Sequence, residues 1–129
     1  MRSVQRFVAV LGCGILLVAV GASGAEAQTA KSAPAFVVLE FNIKDPEGFK
    51  EYAQRAPATL APHGGKFLVR PGKVVTLAGN APTGPFAVLA FDSSEQAQNW
   101  ASSPEYSALI PLRNKSADVR IFIVEGASP

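Results

Sequence analysis

Phe36-Val37-Val38-Leu39-Glu40-Phe41-Asn42-Ile43 reads as a β-strand, with Val37, Leu39, Phe41 and Ile43 on one face and Phe36, Val38, Glu40 and Asn42 on the other. Both faces carry apolar side chains. A strand with one wet face alternates apolar with polar residues, so this one predicts a sheet that needs cover on two sides.

The chain that follows supplies helices for one of those sides. Asp45-Pro46-Glu47 is a helix start: the Asp accepts from free amides, the proline suits the first helical position, and the early carboxylate suits the dipole. Phe49, Tyr52, Ala53 and Ala56 then share one stripe until Pro57, which should end or kink the helix. Pro62-His63-Gly64-Gly65 reads as a turn into a strand from Lys66 to Arg70. Pro71-Gly72 makes the next turn and Val74 to Ala78 a further strand, followed by a loop over Gly79 to Pro85.

Phe86 to Phe91 reads as a central apolar strand. Asp92-Ser93-Ser94-Glu95 matches a capping box and opens a helix with Ala97, Trp100 and Ala101 on its buried side. Ser103-Pro104-Glu105 repeats the start signal for a second helical segment carrying Tyr106, Leu109, Ile110 and Leu112, which Pro111 is expected to shorten or bend. Val119 to Glu125 is the last strand, again apolar on both faces.

The order β-α-β-β-(β)-α-β predicts an α+β domain over residues 35–126: a ferredoxin-like antiparallel sheet with helices on one face. Two helices can cover only one face of the sheet. Phe36, Val38, Phe86, Val88 and the strand near Phe122 offer apolar groups to the uncovered side, so the expected partner is a second copy of the chain, in a two-fold homodimer. Residues 28–34 form a short tether and 127–129 a tail.

Upstream, Arg2 and Arg6, the 14-residue apolar run Phe7 to Val20, and the small residues to Ala27 have the layout of a signal peptide over residues 1–27. The run is short of the ~20 residues that span a bilayer. Ala25-Glu26-Ala27 fits the cleavage rule, so the mature protein is expected to be periplasmic or secreted, without a stable membrane anchor. Cys13 lies inside the apolar run rather than at its end, against a lipoprotein box.

Cleavage removes the only cysteine, which excludes disulfides, thiol nucleophiles and thiolate metal sites from the mature domain. Losing Arg2, Arg6 and Glu26 lowers the formal net charge from +2 to +1, with no charge block, so nucleic acid is not an expected partner.

Three motifs, HGGKFLVRPGK at His63 to Lys73, LAG at Leu77 to Gly79 and NWASSPEYSALIPLR at Asn99 to Arg113, resemble domain-of-unknown-function family 1330, a branch of the dimeric α/β-barrel superfamily. The resemblance runs from Phe36 to Gly126. Lys66 stands for the family's Arg, Pro71 for a Gly, Ala78 for the acidic residue of its LEG motif, and Ala101 for the aromatic after the Trp. The resemblance implies the fold and a dimer whose sheets close face to face, but no reaction. The superfamily includes haem-handling enzymes and cofactor-independent monooxygenases, which by analogy implies a small-molecule cavity between sheet and helices.

His63, the only histidine, is the natural proton-transfer group at neutral pH, with Glu40 or Arg70 as partner across a cleft; its bland reading is a turn residue. Glu40 interrupts an apolar strand and calls for a role or for an ion-pair partner such as Arg70 or Arg113. Either arginine could instead clamp a carboxylate ligand. Trp100 and Tyr106 either line an apolar pocket or pack the core. Ser103 is a helix cap rather than a nucleophile, and one histidine with scattered carboxylates gives no metal spacing. No cofactor and no metal are expected.

The leading expectation is an exported homodimer binding a small, partly apolar molecule, with Arg70, Trp100, Tyr106 and Arg113 as ligand-binding residues and His63 and Glu40 as catalytic candidates. Two alternatives stand beside it: a cofactor-independent monooxygenase or isomerase with His63 as base, and a structural dimer without a ligand.

Overall fold

A computed structural model describes residues 31–128. The export signal read over residues 1–27, and residues 28–30 of the tether, lie outside the described residues, as does Pro129. Strand β1 (Ala35–Ile43) leads into α1 (Pro46–Arg55). Two 3-10 turns, Ala56–Thr59 and Ala61–His63, carry the chain to β2 (Lys66–Val69). Strand β3 (Phe86–Phe91) is followed by α2 (Ser94–Ala101), α3 (Pro104–Ser107), α4 (Ile110–Ser116) and β4 (Ala117–Glu125). The strands form one antiparallel sheet in the order β2-β3-β1-β4, which with its helices is the ferredoxin-like arrangement. Among the described residues no helix is long and apolar enough to cross a membrane.

Local chemistry sets the element ends. The Asp45 side chain accepts from the Gly48 amide at 3.2 Å, with Pro46 in the first turn, and α1 gives way to a 3-10 turn where Pro57 enters. Gly64 takes a left-handed φ of 70°, which closes the second 3-10 turn. Gly65 passes so close to the Phe91 ring that a Cβ there would stand 2.6 Å from it. These two glycines therefore let the chain turn and dock on β3 at once.

Three details differ from the sequence reading. The cap of α2 is one residue later: Ser93 Oγ accepts from the Gln96 amide at 3.2 Å, and Gln96 Oε1 accepts from the Asp92 amide at 3.2 Å, so Gln96 rather than Glu95 completes the exchange. Ala97 and Trp100 are buried, but Ala101, the last residue of α2, is exposed. The strand expected at Val74 to Ala78 does not form; residues 71–85 are irregular. A strand needs a hydrogen-bonding neighbour, and nothing in the described chain pairs with this segment. It leaves Val75 70% and Leu77 95% exposed.

The core lies between sheet and helices. Val37, Leu39 and Phe41 of β1 and Ala87, Leu89 and Phe91 of β3 meet Tyr52, Leu60, Ala97, Trp100, Tyr106 and Leu109 from the helical side. The opposite face is set by register. Phe36 stands between Ala90 and Val124, Val38 between Val88 and Phe122, and Glu40 between Phe86 and Arg120. Two of these three cross-strand rows are wholly apolar, and no element of the described chain packs over them.

Candidate functional site

The core does not fill its volume. A cavity of about 280 Å³ remains between α1 and the sheet, floored by Leu39, Phe41, Ala87 and Leu89 and walled by Phe49, Tyr52, Phe67 and Trp100. Its space comes from small residues: Ala53, Ala56 and Ala87 line it where longer side chains would reach across. Arg70 and Pro71, both exposed, stand at its mouth. The Arg70 guanidinium carbon lies 4.3 Å from the centroid of the Phe67 ring, a cation–π arrangement that holds the charge against the aromatic wall.

Two hydrogen-bond chains fix the aromatic wall. Trp100 Nε1 donates to Thr59 Oγ1 at 2.9 Å, and Thr59 donates to the Ala56 carbonyl at 2.7 Å, tying α2 to the first 3-10 turn. The Trp100 ring packs 4.1 Å from Tyr106 and 5.7 Å from Phe91, centroid to centroid. The Tyr52 and Tyr106 hydroxyls lie 3.0 Å apart, and Arg113 Nη1 donates to Tyr106 at 2.9 Å. Burial, reinforced by the neighbouring Tyr106, pushes the Tyr52 phenol well above its ordinary value, with Arg113 opposing. Tyr52 is therefore a neutral hydrogen-bonding group at the cavity wall, not a base.

The sequence candidates fall into three places. Arg70 and Trp100 line the cavity. Tyr106 and Arg113 sit behind its wall and act on it through Tyr52. His63 and Glu40 are elsewhere, and apart from each other. His63 ends the second 3-10 turn with Nε2 buried, without a hydrogen bond, 3.8 Å from Glu105 Oε2. The Glu105 carboxyl is held below its usual range, first by its own backbone amide at the start of α3 and then by the neighbouring His63 and Ser103. Glu40 lies on the sheet face turned away from the helices. Its ion-pair partner is Arg120, at 2.7 Å through Nη2 and 2.9 Å through Nε, rather than Arg70 or Arg113. Arg120 is its direct cross-strand neighbour on β4, which settles the pairing.

Tyr52, Phe49 and Phe67 belong to the cavity wall although the sequence reading gave them no such part. The signal that could have found them is the set of alanines at positions 53, 56 and 87 facing aromatic residues, a volume deficit in an otherwise aromatic core. Among the described residues no cluster of three or more His, Cys, Asp or Glu side chains is placed to hold a metal ion.

The family model named Domain of unknown function (DUF1330) matches residues 34–127. The chain belongs to the DUF1330 family. Solved structures carry the same fold as this DUF1330 domain. The RPA0582 protein of unknown function from Rhodopseudomonas palustris is 15% identical with a TM-score of 0.59, over 76% of this chain and 85% of that one. SnoaB, a cofactor-independent oxygenase from Streptomyces nogalater, is 12% identical with a TM-score of 0.53, over 76% and 97%. A dimeric ferredoxin-like protein of unknown function from Thermobifida fusca is 15% identical with a TM-score of 0.51, over 74% and 93%. At these identities the likeness is one of fold. No curated protein is significantly similar to the DUF1330 chain in sequence.

Proposed function

We propose that this protein is an exported homodimer that binds a small, partly apolar molecule in the cavity between α1 and the sheet. The observation that carries the reading is the cavity: about 280 Å³, aromatic on its walls, with polar groups only from Tyr52, Trp100 and Arg70. Ligand sites combine an apolar lining with a few placed polar groups in this way. A dry cavity of ~150 Å³ already takes a benzene ring, so a substituted aromatic of one or two rings suits the volume.

The dimer is supported by the open sheet face, with its rows Ala90-Phe36-Val124 and Val88-Val38-Phe122, and by the exposed Val74, Val75 and Leu77 of the β2–β3 connection. A second copy would cover both. The described dimeric state of the Thermobifida fusca protein of similar fold agrees. Export rests on the leader layout of residues 1–27. No reaction is part of the proposal, since neither His63 nor Glu40 lines the cavity.

Trp100 is the only tryptophan and lines the cavity, so its fluorescence reports occupancy directly. Titrating small aromatic acids, amides and alcohols is expected to change that fluorescence saturably for at least one compound. A flat response across the panel would leave a structural dimer without a ligand as the reading to keep.

A further inference from the structure

We infer that the cavity selects aromatic monoanions, with the ring against the aromatic wall and a carboxylate held at the mouth by Arg70. This rests on the cavity being a binding site, and adds the charge and orientation of what it takes. The lining contains no Asp or Glu, and Arg70 is its one charged residue. Arg70 also takes part in none of the ion pairs formed among the described residues. Its guanidinium is instead laid over Phe67, a wall residue, so the positive charge lies beside the cavity lining with no carboxylate paired to it.

Position decides which part of a ligand meets which part of the site. Burying a carboxylate in the depth of an apolar cavity is costly. At the mouth, beside an exposed Arg70, the anion keeps part of its water and gains a bidentate donor. The ring then fills the interior between Phe49, Phe67 and Trp100. The other two polar groups make weaker claims on an anion. Trp100 Nε1 is already spent on Thr59, and Tyr52 is engaged with Tyr106. An organic cation finds no carboxylate in the lining and meets Arg70 on entry.

The test compares two probes of nearly the same shape, 4-iodobenzoate and 4-iodobenzamide. Affinities for the purified protein are measured by calorimetry, and Trp100 quenching by the iodine locates the ring. The acid is expected to bind on the order of tenfold more tightly than the amide, the size of one partly exposed charged hydrogen-bonding pair. In Arg70→Gln, with an unchanged near-ultraviolet circular dichroism spectrum, the two probes should bind alike, the acid having lost affinity and the amide kept it. Equal binding of acid and amide to the unaltered protein, with Trp100 quenched by both, would overturn the anion selectivity and leave the cavity as a site. A preference for the acid that survives Arg70→Gln would overturn the role of Arg70. Absence of binding and quenching by either probe would overturn the selectivity together with the binding reading beneath it.

Discussion

The hydroxyls of Tyr52 on α1 and Tyr106 on α3 meet at 3.0 Å, and Arg113 on α4 donates to the second of them at 2.9 Å. One hydrogen-bonded line thus ties three helices together behind the cavity wall. Its inner member has a phenol whose ionisation is opposed first by burial and then by its neighbour.

The raised pKa of the Tyr52 phenol predicts that stability falls at alkaline pH. Its value in the unfolded chain is about 10 and the folded value lies higher, so the contribution is complete below pH 10 and is lost as pH rises. The slope for one proton is at most ~1.4 kcal/mol per pH unit. Urea midpoints measured from about pH 9 to pH 11 should drop less steeply in Tyr52→Phe than in the unaltered protein. At neutral pH that variant should be less stable by about 1 kcal/mol for the lost hydrogen bond. Parallel pH slopes for the two proteins would refute the assignment.

Ala87 lies on the cavity floor and is 4% exposed. In Ala87→Leu the added carbons occupy the space proposed to take a ligand. Any compound that changes Trp100 fluorescence in the unaltered protein should lose the effect, while the melting temperature stays level or rises by a few degrees, as cavity filling gives roughly 0.5–2 kcal/mol. Retained binding would place the ligand elsewhere.

Leu77 and Phe122 are 95% and 40% exposed in the single chain. Replacing such residues in a monomer changes stability by about 0.5 kcal/mol or less. In a dimer that buries them, Leu77→Asp and Phe122→Glu place charges in an apolar contact. Light scattering at micromolar concentration should then report the mass of one chain for the variants and of two for the unaltered protein, with unchanged near-ultraviolet circular dichroism. Identical masses for all three proteins would contradict the proposed interface.

Gly65 is required by contact. A Cβ there would stand 2.6 Å from the Phe91 ring and 3.1 Å from Leu60, both in the core, whereas at Gly72 the nearest atom is 3.7 Å away. Gly65→Ala should cost about 1–3 kcal/mol in urea unfolding, as overpacking does. Gly72→Ala should lie within about 0.5 kcal/mol of the unaltered protein.

Elements that satisfy themselves locally were legible in the sequence. The caps at Asp45 and Ser103 and the two-faced patterns of β1 and β4 each follow from a few neighbouring residues, and from them came the ferredoxin-like order. Val74 to Ala78 has strand composition, but composition supplies no ladder partner, and the described chain offers none. The Tyr52–Tyr106 pair depends on how helices 54 residues apart dock, which no spacing encodes. Glu40 was visible as an anomaly in β1, while its partner was fixed by the register that sets Arg120 opposite it. The cavity was the least legible feature, because it is a volume left over by alanines on three separate elements.

Native mass spectrometry of the purified protein, incubated with small aromatic acids, amides and alcohols, reads dimer and ligand in one spectrum. The expected result is a species of two chains that takes up as many as two ligand molecules, with the Ala87→Leu dimer remaining bare. A single-chain species, or a dimer that takes up nothing from the panel, would contradict it.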